Sequence, residues 1–279
     1  MSKLKKRLLI VLSATILLAI CAFYNGITIV DYTVKSDKTD DEQTINIVLV
    51  TDLHSNIYWK DQKSLINRIK NKKPDLILLN GDIADDEEPI KGTELLLEGI
   101  KDICPIYYTT GNHEYWYEDI NEIRDTIRSY GVKILEDEYE EILIKNTPII
   151  IAGIDDPDKK KYEDETYNQT VSMENSFREL DNNESYKILM AHRPKKIDEY
   201  KNFSFDLIVS GHTHGGQVRV PFILNGLFAP NQGWFPELGG GEYQYEDLTH
   251  IISRGLSFNR RMPRIFNPPE LVTIYLKSD

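Results

Sequence analysis

Leu207-Ile208-Val209-Ser210-Gly211-His212-Thr213-His214 decides how the chain is read: an apolar run hands over to a glycine turn, and two imidazoles spaced by one residue follow. Such a run is what a strand buried on both faces looks like. Imidazoles on the loop at its carboxyl end make a metal-site candidate. The arrangement recurs upstream. Asp52 and His54 follow Val48-Leu49-Val50, Asp82 follows Leu76 to Leu79, Asn112 and His113 follow Ile106 to Thr110, and His192 closes Ile188-Leu189-Met190. Strand after strand carries Asp, His or Asn at its end, and the candidate ligands point one way.

The segments between these runs read as helices. Leu65, Ile66 and Ile69 share one helix face, Pro74 stops that helix, Leu95 to Ile100 continues with a helical stripe, and Ile120, Ile123 and Ile127 mark a third helix. The order β-α-β-α-β implies a parallel-leaning sheet with its ligand groups at the carboxyl edge. Val132 to Ile154 changes character, with Ile142 to Ile144 and Ile149 to Ile151 read as a hairpin that opens a second sheet. Phe177 and Leu180 fit a helix before the strand ending at His192. Gln217 to Val220, Leu248 to Ser253 and Leu271 to Leu276 read as three more strands. Lys159 to Gln169 reads as a charged, solvated loop, and Gly239-Gly240-Gly241 as irregular surface near the site.

With 279 residues, 41% hydrophobic and 28% charged, the chain is expected to build one full core over residues 45–279. The net charge is −12, and residues 1–30 hold Lys3, Lys5, Lys6 and Arg7 without an acid, so the remainder carries −16. A body that acidic excludes a nucleic acid polymer as main partner. Small phosphate substrates stay open, because bound divalent cations invert the local field. Cys21 and Cys104 form no disulfide framework.

Residues 1–30 read as a membrane anchor or signal: a basic start, then the apolar run Leu8 to Phe23. Spanning takes roughly 20 apolar residues, which the run reaches only if Tyr24 to Val30 contribute. The expectation is one N-terminal transmembrane helix that stays uncleaved, with a cleaved signal or a peripheral apolar tail as alternatives. Basic residues on the N-terminal side then put the catalytic part outside the cytoplasm, single-pass in the cell membrane or secreted after cleavage. Residues 31–44 are polar and read as a linker.

Two divalent ions held close together need several ligands from several strands and one anion that bridges them. Asp82, delivered by Gly81, is the natural bridge. Neutral imidazoles and an amide keep total ligand charge low, so the metals hold hydroxide near neutral pH as the nucleophile. Nitrogen and oxygen ligands without thiolate suit Mn²⁺, Fe²⁺ or Zn²⁺, with Mn²⁺ favoured.

Asp52-Leu53-His54, Gly81-Asp82, Gly111-Asn112-His113-Glu114, His192 and Gly211-His212-Thr213-His214, in that order, resemble the five blocks of the calcineurin-like metallophosphoesterases. Similarity extends to Gly153-Ile154-Asp155-Asp156, Gly215-Gly216-Gln217, Ser253-Arg254-Gly255 and Asn267-Pro268-Pro269-Glu270, which resemble the membrane-associated bacterial branch containing phosphodiesterases and UDP-2,3-diacylglucosamine-type pyrophosphohydrolases. The resemblance implies an α/β fold, a four-layer α/β/β/α sandwich of two mixed sheets. It implies one metal held by Asp52, His54, Asp82 and His214, and a second by Asp82, Asn112, His192 and His212. His113 would contact the phosphate and stabilise or protonate the leaving oxygen. Two departures narrow the choice. Purple acid phosphatases place Tyr where Asp85 stands, and protein Ser/Thr phosphatases require an Arg that Asp86-Glu87 replaces.

Taken singly, an Asp or Asn after a strand is usually a turn residue or helix cap; order and strand-end placement carry the set. His250 lacks such company and is left out. Arg193 steers phosphate or simply starts a helix at Pro194, and Asp155 and Asp156 face the site or form a turn. Tyr115, Trp116 and Tyr117 form a substrate lip or pack inward, while Trp234 and Phe235 are candidates to meet a membrane. The reading is a membrane-tethered binuclear hydrolase of phosphodiester or pyrophosphate bonds acting on a small or lipid-linked phosphoester. The alternatives are a phosphomonoesterase or a non-catalytic scaffold of the same fold. The oligomeric state is not legible.

Overall fold

In the computed structural model, which describes residues 2–40, 43–258 and 262–278, the chain begins with α1 (Lys3–Ala22) and β1 (Thr28–Lys35). A first repeating stretch comes next: β2 (Ile45–Val50), α2 (Lys63–Asn71), β3 (Leu76–Asn80), α3 (Lys91–Ile100), β4 (Ile106–Thr109), α4 (Asn112–Trp116), α5 (Ile120–Ser129) and β5 (Lys133–Ile134). The hairpin β6 (Glu138–Ile144) and β7 (Thr147–Gly153) opens the second half, then α6 (Lys159–Tyr162), α7 (Gln169–Phe177), β8 (Tyr186–Met190), α8 (Ile197–Tyr200) and β9 (Leu207–Ser210). The chain closes with β10 (Phe228–Ala229), β11 (Gly233–Trp234), β12 (Gly241–Tyr245), β13 (Leu248–Ile252) and β14 (Glu270–Lys277).

Two six-stranded mixed sheets result, in the orders β1-β14-β2-β3-β4-β5 and β12-β13-β9-β8-β7-β6. Their stacking arises from strand alternation. In β2, Val48 and Val50 enter a core shared with Leu65, Ile69, Leu96 and Ile127 of the helices, whereas Ile45, Ile47 and Leu49 enter a core shared with Ile188, Met190, Leu207 and Val209 of the other sheet. Leu189 and Ile208 face a third core with Met173, Phe177, Ile197 and Tyr200. Helices therefore cover both outer faces, giving the expected four layers. The hairpin turn also obeys local chemistry: Lys145 and Asn146 both adopt positive φ, 47° and 63°, as a two-residue turn between twisted strands requires.

The N-terminal segment departs from expectation. No helix among the described residues is long and apolar enough to cross a membrane, which overturns the transmembrane helix. In the 20-residue α1 the continuous uncharged run is Leu8 to Ala22, a length of about 22 Å at 1.5 Å per residue against a hydrocarbon core of about 30 Å. The residues needed to extend it do other work: Thr28–Lys35 forms β1, parallel to β14 from Thr28↔Glu270 to Lys35↔Lys277. The first part of the 31–44 segment is thus an edge strand, and a linker can begin only after Lys35. Gln217–Val220 is likewise not a strand. Gly215, Gly216 and Gln217 all take φ near +60°, breaking extension and leaving only the bridges Val218↔Ile265 and Val220↔Leu224.

Candidate metal centre

Parallel strands deliver their loops to one edge, and the expected ligands meet there. Asp52 and His54 leave β2, Asp82 leaves β3, Asn112 and His113 open α4 after β4, His192 leaves β8, and His212 and His214 leave β9. Two clusters of expected ligands form, Asp52–His54–His214 and Asp82–His192–His212, each with ligand atoms within 4.8 Å of one another, and a third group of the same tightness, His54–Asp85–His113, adjoins them. Asp82 joins them: its Oδ2 lies 3.1 Å from His192 Nε2 and 3.7 Å from His54 Nε2. Six of the seven expected ligands meet in these clusters, and Asn112 lines a small cavity with Asp82 and His212.

The backbone is strained where the ligands sit. Asp52, His54, Asp82, His212 and His214 all have φ between 48° and 68°, a left-handed region that costs a non-glycine residue of order 1 kcal/mol or more. Gly81 (φ 76°) precedes the bridge, and a Cβ there would lie 2.4 Å from His192 Nδ1. Glu114, fully buried, holds this turn shut: its carboxylate accepts the N–H groups of Gly111 at 2.8 Å, Asp82 at 2.9 Å, Ile83 at 2.7 Å and Ala84 at 3.0 Å.

Each imidazole has its second nitrogen occupied. His54 Nδ1 meets Asp85 at 2.8 Å, His192 Nδ1 the Asn80 carbonyl at 3.1 Å, His212 Nε2 the Asn231 amide oxygen at 2.7 Å, and His214 Nδ1 the Ser257 hydroxyl at 2.7 Å. The facing atoms are orphaned: Asp52 Oδ2, His54 Nε2, Asp82 Oδ2, Asn112 Oδ1 and His192 Nε2 are buried without a hydrogen-bond partner. Buried polar atoms left unpaired cost free energy, and five around one space are what a divalent pair satisfies. The donor set fits the cations.

Electrostatics agree. Burial alone would raise Asp82, yet the imidazoles of His192, His113 and His54 hold it well below the usual carboxylate range, so it is ionised. Burial would lower His192, but Asp82 and Asp52 outweigh it and push it up to about 10. Burial together with the cation at His192 drives His212 down to about 3, so that imidazole is neutral and ready to ligate.

His113 is not among the clustered ligands of Asp82 and Asp52. Its N–H donates to Asp82 Oδ1 at 2.9 Å, its ring Nδ1 lies 2.5 Å from Asp86 Oδ1, and the ring lines the cleft. That cleft, about 810 Å³, is also lined by His54, His214, Trp116, Phe228 and Phe258. A smaller cavity of about 240 Å³ adjoins Asp82, Asn112, His212 and Arg193. Arg193 does reach this space, but its guanidinium is bound to Asp156 at 2.7 Å and Asp158 at 2.9 Å. Asp155 turns away, accepting from Thr110 and Lys159, each at 2.7 Å. Of the aromatic trio, Trp116 stands at the lip while Tyr115 is buried.

Several contributors were given no role at the site from sequence, although Glu114, Gly255 and Asn267 stand in the quoted motifs. Asp85, Asp86, Asn231 and Ser257 each hold one histidine. Gly255 (φ 71°) lies so close to Asp52 that a Cβ would come within 2.5 Å of the aspartate Cβ. Asn267 Nδ2 donates to the carbonyls of His214 at 2.7 Å and Gln217 at 3.1 Å. A spacing signal existed for Glu114, an acid three residues after the residue that caps α4.

Residues 45–216 match the family described as Calcineurin-like phosphoesterase. An uncharacterized metallophosphoesterase of Aquifex aeolicus is 28% identical over 254 residues, covering 88% of this chain and 90% of its own length. Another, of Campylobacter jejuni, is 30% identical, and the match covers 85% of this chain but 60% of that protein. Among solved structures, the NAD nucleotidase of Haemophilus influenzae superposes with a TM-score of 0.54 at 17% identity, over 77% of this chain and 46% of that one, a likeness of fold.

Proposed function

The chain belongs to the calcineurin-like phosphoesterases, metal-dependent hydrolases of phosphoester bonds, and from that premise we propose that it cleaves phosphodiester or pyrophosphate bonds with two divalent cations held by the seven expected side chains. The observation that carries this reading is the ring of five orphaned buried atoms. Bound there, the cations supply Lewis acidity, acidifying water and neutralising phosphoryl charge. Nitrogen and oxygen donors without thiolate favour Mn²⁺ over Zn²⁺ or Fe²⁺.

The chain's own groups do the rest. Asp82 offers carboxylate to both clusters and is kept in place by the Glu114 clamp. Asp86 fixes the His113 ring at Nδ1, leaving Nε2 as the nitrogen with no partner among the described residues, placed to donate a proton to the leaving oxygen. Trp116 packs on that ring at 4.5 Å between centroids and limits its rotation. A diester or pyrophosphate is favoured over a monoester because Arg193, which reaches the centre, is already committed to Asp156 and Asp158, and because the cleft has room for two arms. The Ser253-Arg254-Gly255 and Asn267 elements, which press on Asp52 and His214, support kinship with the pyrophosphohydrolase-like branch.

Purified protein assayed with bis(p-nitrophenyl) phosphate and p-nitrophenyl phosphate in Mn²⁺ or Zn²⁺ tests the reading. Diester turnover that tracks metal content is expected. Monoester turnover above diester turnover would replace it with the phosphomonoesterase alternative.

A further inference from the structure

A second cavity, about 580 Å³, contains none of the metal ligands. Its walls are Val30 and Tyr32 of β1, the tight hairpin Arg219–Asn225, and Arg254, Phe266 and Glu270. The hairpin is closed by Val220 N–H to Leu224 O at 3.0 Å and Leu224 N–H to Val220 O at 2.8 Å. Volumes of this size hold small ligands or headgroups.

Its charge is unbalanced. Arg254 is committed to Glu270, through its backbone N–H at 2.7 Å and its guanidinium. Arg219 donates to Asn225 and pairs with no carboxylate among the described residues. Two guanidinium groups thus face one cavity against a single acid, and burial together with the Arg254 charge holds Arg219 below the usual arginine range. An anion in the cavity removes that conflict.

The rim is apolar and uncovered: Phe222 is fully exposed and Ile223 is 84% exposed. The neighbouring element has the same character. Phe266, a wall residue, donates its N–H to the Ala22 carbonyl at 2.8 Å, where α1 ends. From there α1 exposes Leu8 through Cys21 on every side, with Lys3, Lys5, Lys6 and Arg7 at its far end. Arg219 and Arg254 thus sit beside an apolar rim in a body whose residues 31–279 carry −16. Among possible occupants, an anionic bilayer is the one that answers both features, being attracted here and repelled elsewhere.

We propose that this cavity takes the anionic headgroup of a bilayer lipid, with Phe222 and Ile223 seated among the acyl chains. No spanning helix is needed, and the proposal does not depend on the phosphoesterase reading.

The test uses the full chain with an NBD label at Phe222→Cys in a Cys21→Ser background; Cys104 is half-buried and its thiol is pushed up to about 12 by burial, so it labels poorly. With phosphatidylglycerol vesicles the label's emission should move to the blue and be quenched by brominated acyl chains. Arg219→Ala should cut the preference for phosphatidylglycerol over phosphatidylcholine vesicles about fivefold, the worth of one basic group at such a surface. A bound protein whose label stays in water would show that α1 alone carries the contact, and the proposal fails. It also fails if Arg219→Ala leaves the preference unchanged, or if the emission is blue before vesicles are added, since a second copy would then cover the tip. Displacement from vesicles by inorganic phosphate, but not by chloride of equal ionic strength, would make the cavity a free-oxyanion site and overturn the lipid assignment.

Discussion

The two sheets contribute unlike halves to the metal centre. The first supplies the carboxylates and the amide, Asp52, Asp82 and Asn112, together with one imidazole, His54, on loops cross-tied by Glu114; the second supplies only imidazoles, His192, His212 and His214, each steadied by one partner. The first half is built before any cation arrives and carries the charge. The second completes it across the sheet interface, where His212 N–H donates to Asp52 Oδ1 at 2.9 Å and Asn80 Nδ2 to the Val209 carbonyl at 2.8 Å. All the carboxylate ligands come from one layer, and the other gives imidazoles alone.

That division can be broken deliberately. Asp82→Asn removes the shared anion, and turnover should fall at least about a thousandfold with loss of one or both metal equivalents, measured by metal analysis and diester assay. His113→Ala should cost roughly a hundredfold or more in turnover while metal content stays intact; joint loss of metal would make it a ligand instead. Glu114→Gln puts an amide where four N–H groups need acceptors, and chemical denaturation should show destabilisation of roughly 3 kcal/mol. Of the groups that steady histidines, Asp85→Asn and Ser257→Ala should each weaken metal binding about 10- to 100-fold, the aspartate more because it holds the anionic half. Equal effects would blunt the contrast.

The most gradual effect concerns pH. His192, raised to about 10 in the metal-free protein, must lose its proton to ligate, so metal affinity should rise with pH by up to about tenfold per unit until about pH 10. The linkage for the metal-free fold has the opposite sign. Because the folded value lies above the unfolded one, the His192–Asp82 attraction stabilises fully below about pH 6.5 and is lost as pH climbs through about 10. Metal titration and thermal unfolding across that range would show both.

The anionic half was the more legible from sequence, because β2, β3 and β4 are apolar runs whose ends carry the chemistry outright. His192, His212 and His214 were readable for the same reason. Contacts made across the sheets or from irregular chain stayed hidden: Asn231 and Ser257 lie on loops without periodicity, and Asp86 reads as a mere departure from a related motif. β1 escaped for another cause. Val30, Tyr32 and Val34 alternate inward as a half-buried edge strand does, yet they come directly after an apolar helix that invites extension through them.

That strand has a practical bearing. Because β1 runs the full length of β14, Thr28–Lys35 belong to the sheet and not to whatever precedes it. A chain cut to start at residue 31 would remove the first three rungs of the ladder, uncover Glu270, Leu271 and Val272, and present their amide and carbonyl groups to any other strand in solution. Poor solubility of such a shortened protein, cured by restoring Thr28 to Val30, would report on the sheet rather than on the catalyst.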